Sequence, residues 1–287
     1  MGLFGNNYSR PGKGISKEEA AKRNYFDILG RKFWKIVQVN MLYVLVNILF
    51  FGAFVFMILP VIFTSDEAVL NEIMNSLIIP VVTGKTLIPI GYFIPFCFIG
   101  PATAGLTYVL RNYAKQEHAF MASDFFEHTK KNLKQGLLAS TIMTAVTYLF
   151  ITAVIFYLNH VAFKALIVAV AVIVGAILIC ASFYVYPIMV TFDMKLRYIF
   201  KNSLIFALAK LPQNVFIMLV ILAVHALLIW YLPLVWALLM CVFLIGWSSY
   251  TMNYYAWHVI NKHMMSQIEN NEEKEESVFD DNLVEKK

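Results

Sequence analysis

The chain has 287 residues, of which 60% are hydrophobic and only 14% are charged, and its formal net charge is +5. A soluble globular domain is typically about half apolar and a quarter charged. The apolar surplus is too large for one water-facing core, so the composition excludes an ordinary soluble domain and predicts a polytopic membrane protein.

The predicted organisation has three parts: a basic segment at 1–38, the membrane-spanning domain at 39–260, and an acidic tail at 261–287. The tail carries many carboxylates and little that a folded core could bury, so we expect it to be disordered. The alternative is that the tail docks a basic partner.

Six apolar segments each approach the ~20 residues that a helix needs to cross ~30 Å of hydrocarbon. They are Val39–Phe63, Leu87–Leu110, Leu137–Leu158, Ala165–Val190, Val215–Leu232 and Val235–Tyr255. The sequence therefore predicts an all-α bundle of six transmembrane spans. Only Pro233 and Leu234 separate the last two spans, which predicts a tight helical hairpin.

The positive charges predict the orientation of the spans. All lysines and arginines except Lys85 and Lys164 fall before the first span, in the second and fourth connections, or in the tail. Loops rich in Lys and Arg remain on the cytoplasmic side. Both termini are therefore predicted to be cytoplasmic.

The first outer connection, Thr64–Thr86, is long enough to fold. Thr64 and Glu67 have the spacing of a capping box, and apolar residues follow at helical intervals. We expect a short helix at the outer membrane surface. It would either pack over the bundle or act as a lid.

Three prolines interrupt the second predicted span: Pro89, Pro95 and Pro101. Proline donates no backbone hydrogen bond, so Pro101 leaves the carbonyl of Cys97 without its helical partner. One interpretation is a kink at Gly100, where small residues let a neighbouring helix pack closely. The other is a helix restart, whose positive end would seat a polar or anionic ligand at Gly100, Pro101 and Thr103.

The sixth predicted span is unusually polar toward its end, where it contains Ser248, Ser249 and Asn253. These residues either line a ligand cavity together with the broken second span or join neighbouring helices by hydrogen bonds. Asn40 and Asn47, seven residues apart in the first span, allow the same two interpretations.

An amphipathic segment precedes the third span and is the candidate surface for a protein partner. Its candidate contact residues are Asp124, Phe125, Phe126, Asn132 and Gln135. The first, third and fifth spans also begin alike, each with a basic stretch and then a glutamine: Gln38, Gln135 and Gln213. This similarity indicates either a repeated hairpin or the usual residue preferences of the membrane interface.

The sequence holds no constellation typical of a catalytic site. His225 stands alone in mid-span and is predicted to be a hydrogen-bonded core histidine, and the cysteines have no metal-ligand spacing. We therefore expect no enzyme activity, no metal and no cofactor. The basic segments suit an anionic lipid surface, and we expect no nucleic-acid partner.

Four stretches of the chain carry a family resemblance: "GLFGNNYSRPGKGISKEE", "RKFWKIVQVNMLYVL", "GPATAGLTYVLR" and "DFFEHTKKNLKQ". Together they resemble the YesL-like family of predicted bacterial integral membrane proteins. The resemblance implies the bacterial cytoplasmic membrane and frequent genomic company with sugar-uptake systems. It assigns no residue, because the family is a domain of unknown function.

Two functions follow as hypotheses. The first is a non-enzymatic accessory or regulatory component of carbohydrate uptake, in contact with the membrane subunits of a sugar transporter. The alternative is a small-molecule permease with its site near the broken second span.

Overall fold

The computed structural model describes residues 24–50, 52, 93 and 95–265. In that part of the chain every element is a helix, so the predicted all-α fold is confirmed there. Three predicted features lie outside the described residues: the basic segment before residue 24, the outer helix at Thr64–Thr86, and the tail after residue 265.

We number the described α-helices in chain order. They are α1 Tyr25–Val46, α2 Gly100–Ala114, α3 Met121–Lys131, α4 Leu133–His160, α5 Lys164–Thr191, α6 Leu196–Ala209, α7 Leu211–Tyr231, α8 Pro233–Leu239 and α9 Ile245–Ile260. A π-helical turn at Met240–Leu244 joins α8 to α9, and another at Asn261–Met265 follows α9. The last helix therefore continues past the predicted end of the membrane domain at residue 260.

Four helices of the described part are long and apolar enough to cross a membrane. They are Leu133–Leu158, Lys164–Thr191, Leu211–Tyr231 and Pro233–Met265, and they match the last four predicted spans. The first two predicted spans run into residues that are not described. Six spans and two cytoplasmic termini therefore remain predictions, whereas a membrane protein with several spans is supported directly.

The predicted tight hairpin is present between α7 and α8. Leu232 leaves the helical conformation, with φ −143° and ψ 61°, and Pro233 starts α8. Proline suits the first position of a helix because its missing N–H would have no partner there. The chain therefore reverses within one residue.

Helix α1 begins at Tyr25, well before the predicted start of the first span. The Asn24 side chain accepts a hydrogen bond from the Asp27 N–H at 3.0 Å, and the Asp27 carboxylate accepts from the Asn24 N–H at 3.4 Å. This reciprocal capping starts the helix. Ile28 and Ile36 are buried against the bundle, so the basic stretch packs on the other helices.

Helix α2 is the centre of the bundle. Thirteen of its fifteen residues are buried, and it contacts α1, α3, α4, α5 and α9. A Cβ atom at Gly105 would lie 2.3 Å from Thr129 Oγ1 and 2.5 Å from the Phe125 carbonyl oxygen. The backbone of α2 therefore touches α3 at a point where a side chain has no room.

Arg111 joins α2 to the end of α5. It is only 7% exposed, and its Nη1 donates to the Val190 carbonyl at 2.8 Å and to Thr191 Oγ1 at 2.9 Å. The last carbonyls of a helix lack helical partners and carry its negative dipole end. The buried guanidinium is therefore stabilised by the α5 terminus.

A single amide, that of Asn40, joins α1 to the π-helical turn. Its Nδ2 donates to the Cys241 carbonyl at 2.6 Å and to the Met240 carbonyl at 3.3 Å, and its Oδ1 accepts from the Gly246 N–H at 2.6 Å. A π-turn displaces the normal hydrogen-bond ladder, and Asn40 bonds the displaced groups. Asn40 therefore joins neighbouring helices by hydrogen bonds, which is one of the two interpretations that its position in the sequence allowed.

The other asparagine of this pair behaves differently. Asn47 is buried, and its Nδ2 donates to the Tyr43 carbonyl of its own helix at 2.9 Å. It therefore helps to end α1, and among the described residues its side-chain partner lies on its own helix.

Two of the three similar starts share a backbone feature. α3 and α4 are separated by Asn132, with φ −99° and ψ 17°, and α6 and α7 by Lys210, with φ −118° and ψ 27°. Each break lies three residues before a glutamine, Gln135 or Gln213. The equivalent residue of the first start is Lys35, which lies inside the continuous helix α1. The helix break is therefore shared by the second and third starts and not by the first.

Replacing Asn40 by Leu should lower the free energy of unfolding by about 2–4 kcal/mol, because it leaves the buried Gly246 N–H and Cys241 carbonyl without partners. Chemical unfolding in detergent micelles measures the change. Gln38→Leu is the matched control, since Gln38 is exposed on the same helix, and it should stay within about 0.5 kcal/mol of the parent. Equal losses in the two variants would contradict the role given to Asn40.

Candidate functional site

The predicted interruption of the second span is present at Ile99. Residues 95–98 are helical, Ile99 is a bend, and α2 starts at Gly100 with Pro101 in its first turn. The Ser140 hydroxyl on α4 donates to the carbonyl of Cys97, which Pro101 leaves without a helical partner. The neighbouring helix thus provides the partner that hydrocarbon cannot provide.

The same point is a close crossing of two helices. A Cβ atom at Gly100 would lie 2.0 Å from the Gly136 carbonyl oxygen, and a Cβ atom at Gly136 would lie 3.0 Å from Pro101 Cα. Such approach is typical of small residues at helix interfaces in membranes. The structure therefore contains the kink and close packing of one interpretation and also the helix start at Gly100 of the other. The ligand that the second interpretation places there stays a prediction.

A cavity of about 350 Å³ lies beside the break, between α1, α2, α4 and α5. Six of its described lining residues carry hydroxyl groups: Tyr43, Thr103, Ser140, Thr144, Thr147 and Tyr186. The other four are Phe93, Phe96, Ile99 and Met143. This lining contains no charged side chain and no amide side chain.

The hydroxyl protons on one side of the cavity are already used. Thr103 donates to the Ile99 carbonyl at 2.9 Å, so the contact of 3.0 Å between Tyr43 and Thr103 has Tyr43 as the donor. The Ser140 hydroxyl has the carbonyls of Cys97, Gly136 and Leu137 within reach, so its one proton is directed at the backbone. A ligand would therefore meet oxygen lone pairs here and would have to donate hydrogen bonds itself.

The predicted ligand residues do not all come together. Thr103 lines the cavity, and Gly100 and Pro101 form the break next to it. Ser248 lies instead against α7, where its Oγ is 3.1 Å from His225 Nε2. Trp236 Nε1 donates to His225 Nδ1 at 3.0 Å, so Nε2 carries the ring proton and donates to Ser248.

Two further polar residues of the sixth span also lie away from the described lining. The Ser249 carbonyl accepts from Asn253 Nδ2 at 2.8 Å within α9. Asn253 Oδ1 is buried and has no hydrogen-bond partner among the described residues. Of the three predicted residues of this span, Ser248 therefore joins two helices, whereas Asn253 bonds within its own helix. His225 is hydrogen-bonded on both ring nitrogens, as the sequence predicts.

Sequence reasoning missed most of the cavity residues. Ser140, Thr144 and Thr147 are spaced four and three residues apart, which puts them on one side of α4. This spacing of hydroxyl residues in an apolar span is the signal that could have identified them. Tyr43 and Tyr186 come from other helices and carry no comparable signal.

The predicted partner residues are mostly held inside the protein. Phe125 is fully buried in the core, and Asn132 is buried with its Nδ2 donating to the His128 carbonyl at 2.9 Å. Gln135 Nε2 donates to the Met194 carbonyl, between α5 and α6, at 2.6 Å. Phe125 and Gln135 therefore fix α3 and the start of α4 to the bundle, whereas Asn132 bonds the last turn of α3.

The other two predicted partner residues reach the surface of α3. Asp124 is partly exposed and accepts from the Phe120 N–H at 2.9 Å, which caps the helix. Phe126 is 43% exposed. His128 stacks on Tyr108, and its partial burial there lowers the pKa of the imidazole below its ordinary value, although Glu127 acts in the opposite direction.

Residues 86–154 match the model of a family described as a protein of unknown function, DUF624. The match covers about a quarter of the chain and includes α2, α3 and most of α4. Among the cavity residues, Tyr43 and Tyr186 lie outside it. No curated protein and no solved structure matches the chain.

Pro101 and Ser140 should show energetic coupling. In the parent protein, Ser140→Ala leaves the Cys97 carbonyl unpaired and should cost about 1–3 kcal/mol of unfolding free energy. In the Pro101→Ala background, the new N–H can bond that carbonyl, so the cost of Ser140→Ala should fall by roughly 1 kcal/mol. A double-mutant cycle of unfolding in detergent measures this coupling.

Ser182→Ala is the control for this cycle. Ser182 donates to the Ile179 carbonyl of its own helix at 2.6 Å, away from the break, and should not couple to Pro101. If Ser140→Ala costs the same with and without Pro101, the hydrogen bond to Cys97 does not compensate for the proline.

Proposed function

We propose that this chain is a non-enzymatic integral membrane protein that assists a carbohydrate uptake system as an accessory or regulatory component. In this proposal it lies in the bacterial cytoplasmic membrane with both termini inside, and its partner is a membrane subunit of a sugar transporter. The observation that supports the proposal is the outward side of α3.

Helix α3 is a fixed part of the fold. Phe125 is buried under it, and Gly105 of α2 touches its backbone, so the helix has one orientation relative to the bundle. Its outward side presents Phe126 together with Ser123, Glu127 and Lys130, all exposed. Aromatic side chains are enriched in protein interfaces, where polar and charged residues form the rim, so Phe126 and its charged neighbours on a rigid helix suit a partner surface.

The cytoplasmic position of α3 follows from the distribution of lysine and arginine. Lys130, Lys131 and Lys134 lie in the connection that the positive-inside rule assigns to the cytoplasm. The YesL-like resemblance supplies the class of partner. The DUF624 match includes α3, but the description of that family assigns no function.

A photoreactive phenylalanine analogue at position 126 should crosslink a membrane subunit of a sugar transporter in native membranes. The same analogue at position 163, which is an exposed phenylalanine in the connection between α4 and α5, is the control. We expect adducts at position 126 and none with that subunit at position 163. Identical adducts at the two positions, or lipid adducts alone, would contradict the proposal.

A second candidate function is a permease for a small uncharged molecule, and the cavity beside the break favours it. Broken helices form the substrate sites of many transporters, and irregular backbone at membrane depth is tolerated where it lines a cavity. The described lining is uncharged, so a charged substrate would lose its hydration without gaining a counter-charge.

Purified protein in liposomes tests the permease directly, with radiolabelled glycerol and xylose as uncharged probes. If the cavity carries them, Thr144→Val should lower the initial rate by roughly two- to tenfold, the value of one hydrogen bond. Thr141→Val is the matched control, because Thr141 is exposed on the same helix and donates to the Leu137 carbonyl. Rates equal to those of protein-free liposomes would exclude transport of these probes.

A further inference from the structure

The hydroxyl-lined cavity beside the break does not stand alone. A second cavity of about 510 Å³ lies between α4, α5 and α6. Met143 and Thr147 of α4 line both cavities. The two cavities therefore meet at these two side chains.

The second cavity is apolar. Its walls come from residues such as Val146, Phe150, Leu178, Val185 and Leu204. The Ser182 hydroxyl in its lining already donates to the Ile179 carbonyl. No charged side chain belongs to its described lining, so its chemistry suits a hydrocarbon chain.

The position of the second cavity suits a ligand that arrives from the bilayer. Both α4 and α5 are long and apolar enough to cross a membrane. Leu149 on α4 and Val172 on α5 are 64% and 65% exposed, which in a membrane means contact with lipid. The cavity therefore lies between helices whose outer sides meet hydrocarbon.

The two cavities differ in polarity, so together they suit a ligand with one polar end and one apolar end. Tyr43, Thr103 and Ser140 donate their protons to protein groups, so their oxygens can accept from a ligand, and the hydroxyls of Thr144 and Thr147 lie beside them in the lining. Because the described linings contain no charge, an ionised head group would be desolvated without compensation. The second cavity adds only apolar contact.

We propose that the joined cavities bind an uncharged single-chain amphiphile from the bilayer, with its hydroxyl-bearing head beside Ser140 and Thr144 and its chain running past Met143 into the groove between α4, α5 and α6. Both cavity volumes fall within the usual range of ligand pockets, about 300–1,000 Å³. This site is separate from the α3 surface and does not depend on the proposed accessory function.

Photolabelling of the full chain in lipid nanodiscs tests the site. The probe is a monoacylglycerol with a diazirine on its acyl chain, and the labelled peptides are identified by mass spectrometry. We expect labels on the groove residues Val146, Phe150 and Ile151 of α4 and on Leu178, Ala181 and Val185 of α5, and none on Leu149. Unlabelled monoacylglycerol should compete with the probe, whereas phosphatidylglycerol, which is anionic, should not.

Two variants show whether the labelled site is the joined cavity. Met143→Trp fills the junction and should reduce groove labelling by about tenfold. Leu149→Trp adds the same ring on the lipid-facing side of the same helix and should leave groove labelling unchanged. Thr144→Val, which keeps the volume, should weaken competition by monoacylglycerol roughly two- to tenfold, the value of one hydrogen bond.

The proposal is overturned by any of three results. Labels spread evenly over lipid-facing residues, including Leu149 and Val172, would mean ordinary lipid contact only. Equal competition by phosphatidylglycerol would mean that head-group charge does not matter. Competition by xylose or glycerol would mean that the cavity takes a water-soluble solute, which is the permease alternative and not the amphiphile.

Discussion

A backbone group that loses its helical partner within hydrocarbon must find another partner inside the protein, and this constraint shapes the described bundle. Pro101 and the π-turn at Met240–Leu244 each disturb a helical hydrogen-bond ladder. Ser140 bonds the carbonyl of Cys97, and Asn40 bonds the groups at the π-turn. Both of these irregularities are thus coupled to a polar side chain of another helix, which ties α4 to the break before α2 and α1 to the π-turn.

The glycines determine how closely those neighbours approach. Gly100 and Gly136 meet backbone to backbone, and Gly105 meets the carbonyl of Phe125. Without a hydrophobic force between helices in lipid, close contact of this kind is a main source of association. Gly30, by contrast, has nothing within 4 Å of an added Cβ atom, so the small residues of the central helix have a role that the exposed glycine of α1 does not share.

The sequence predicts the elements better than it predicts the site. Long apolar runs suffice for α4, α5, α7 and the final helix, because spanning hydrocarbon needs length and apolarity alone. The sequence also predicts that Cys97 loses its helical partner, since that follows from the chemistry of Pro101. It could not predict Ser140 as the replacement, because that depends on how two helices cross.

The sequence could not predict the π-turn or the cavity either, because both depend on how distant segments pack together. No local pattern distinguishes the segment around Met240 from ordinary α-helix, and its partner Asn40 lies two hundred residues earlier. The cavity combines side chains of α1, α2, α4 and α5, which only the folded bundle brings together. In the polar sixth span, Ser248 does not line this cavity but joins α9 to α7 through its hydrogen bond with His225.

The kink and the cavity are neighbours in the structure. The helix bends at Ile99 and packs Gly100 tightly on Gly136, and Ile99 itself lines the cavity. Thr103 and Ser140 border that space, and each donates its proton to a nearby carbonyl, so their hydroxyls are satisfied by the protein itself. The fold therefore maintains this polar edge of the cavity without a ligand to complete its hydrogen bonds.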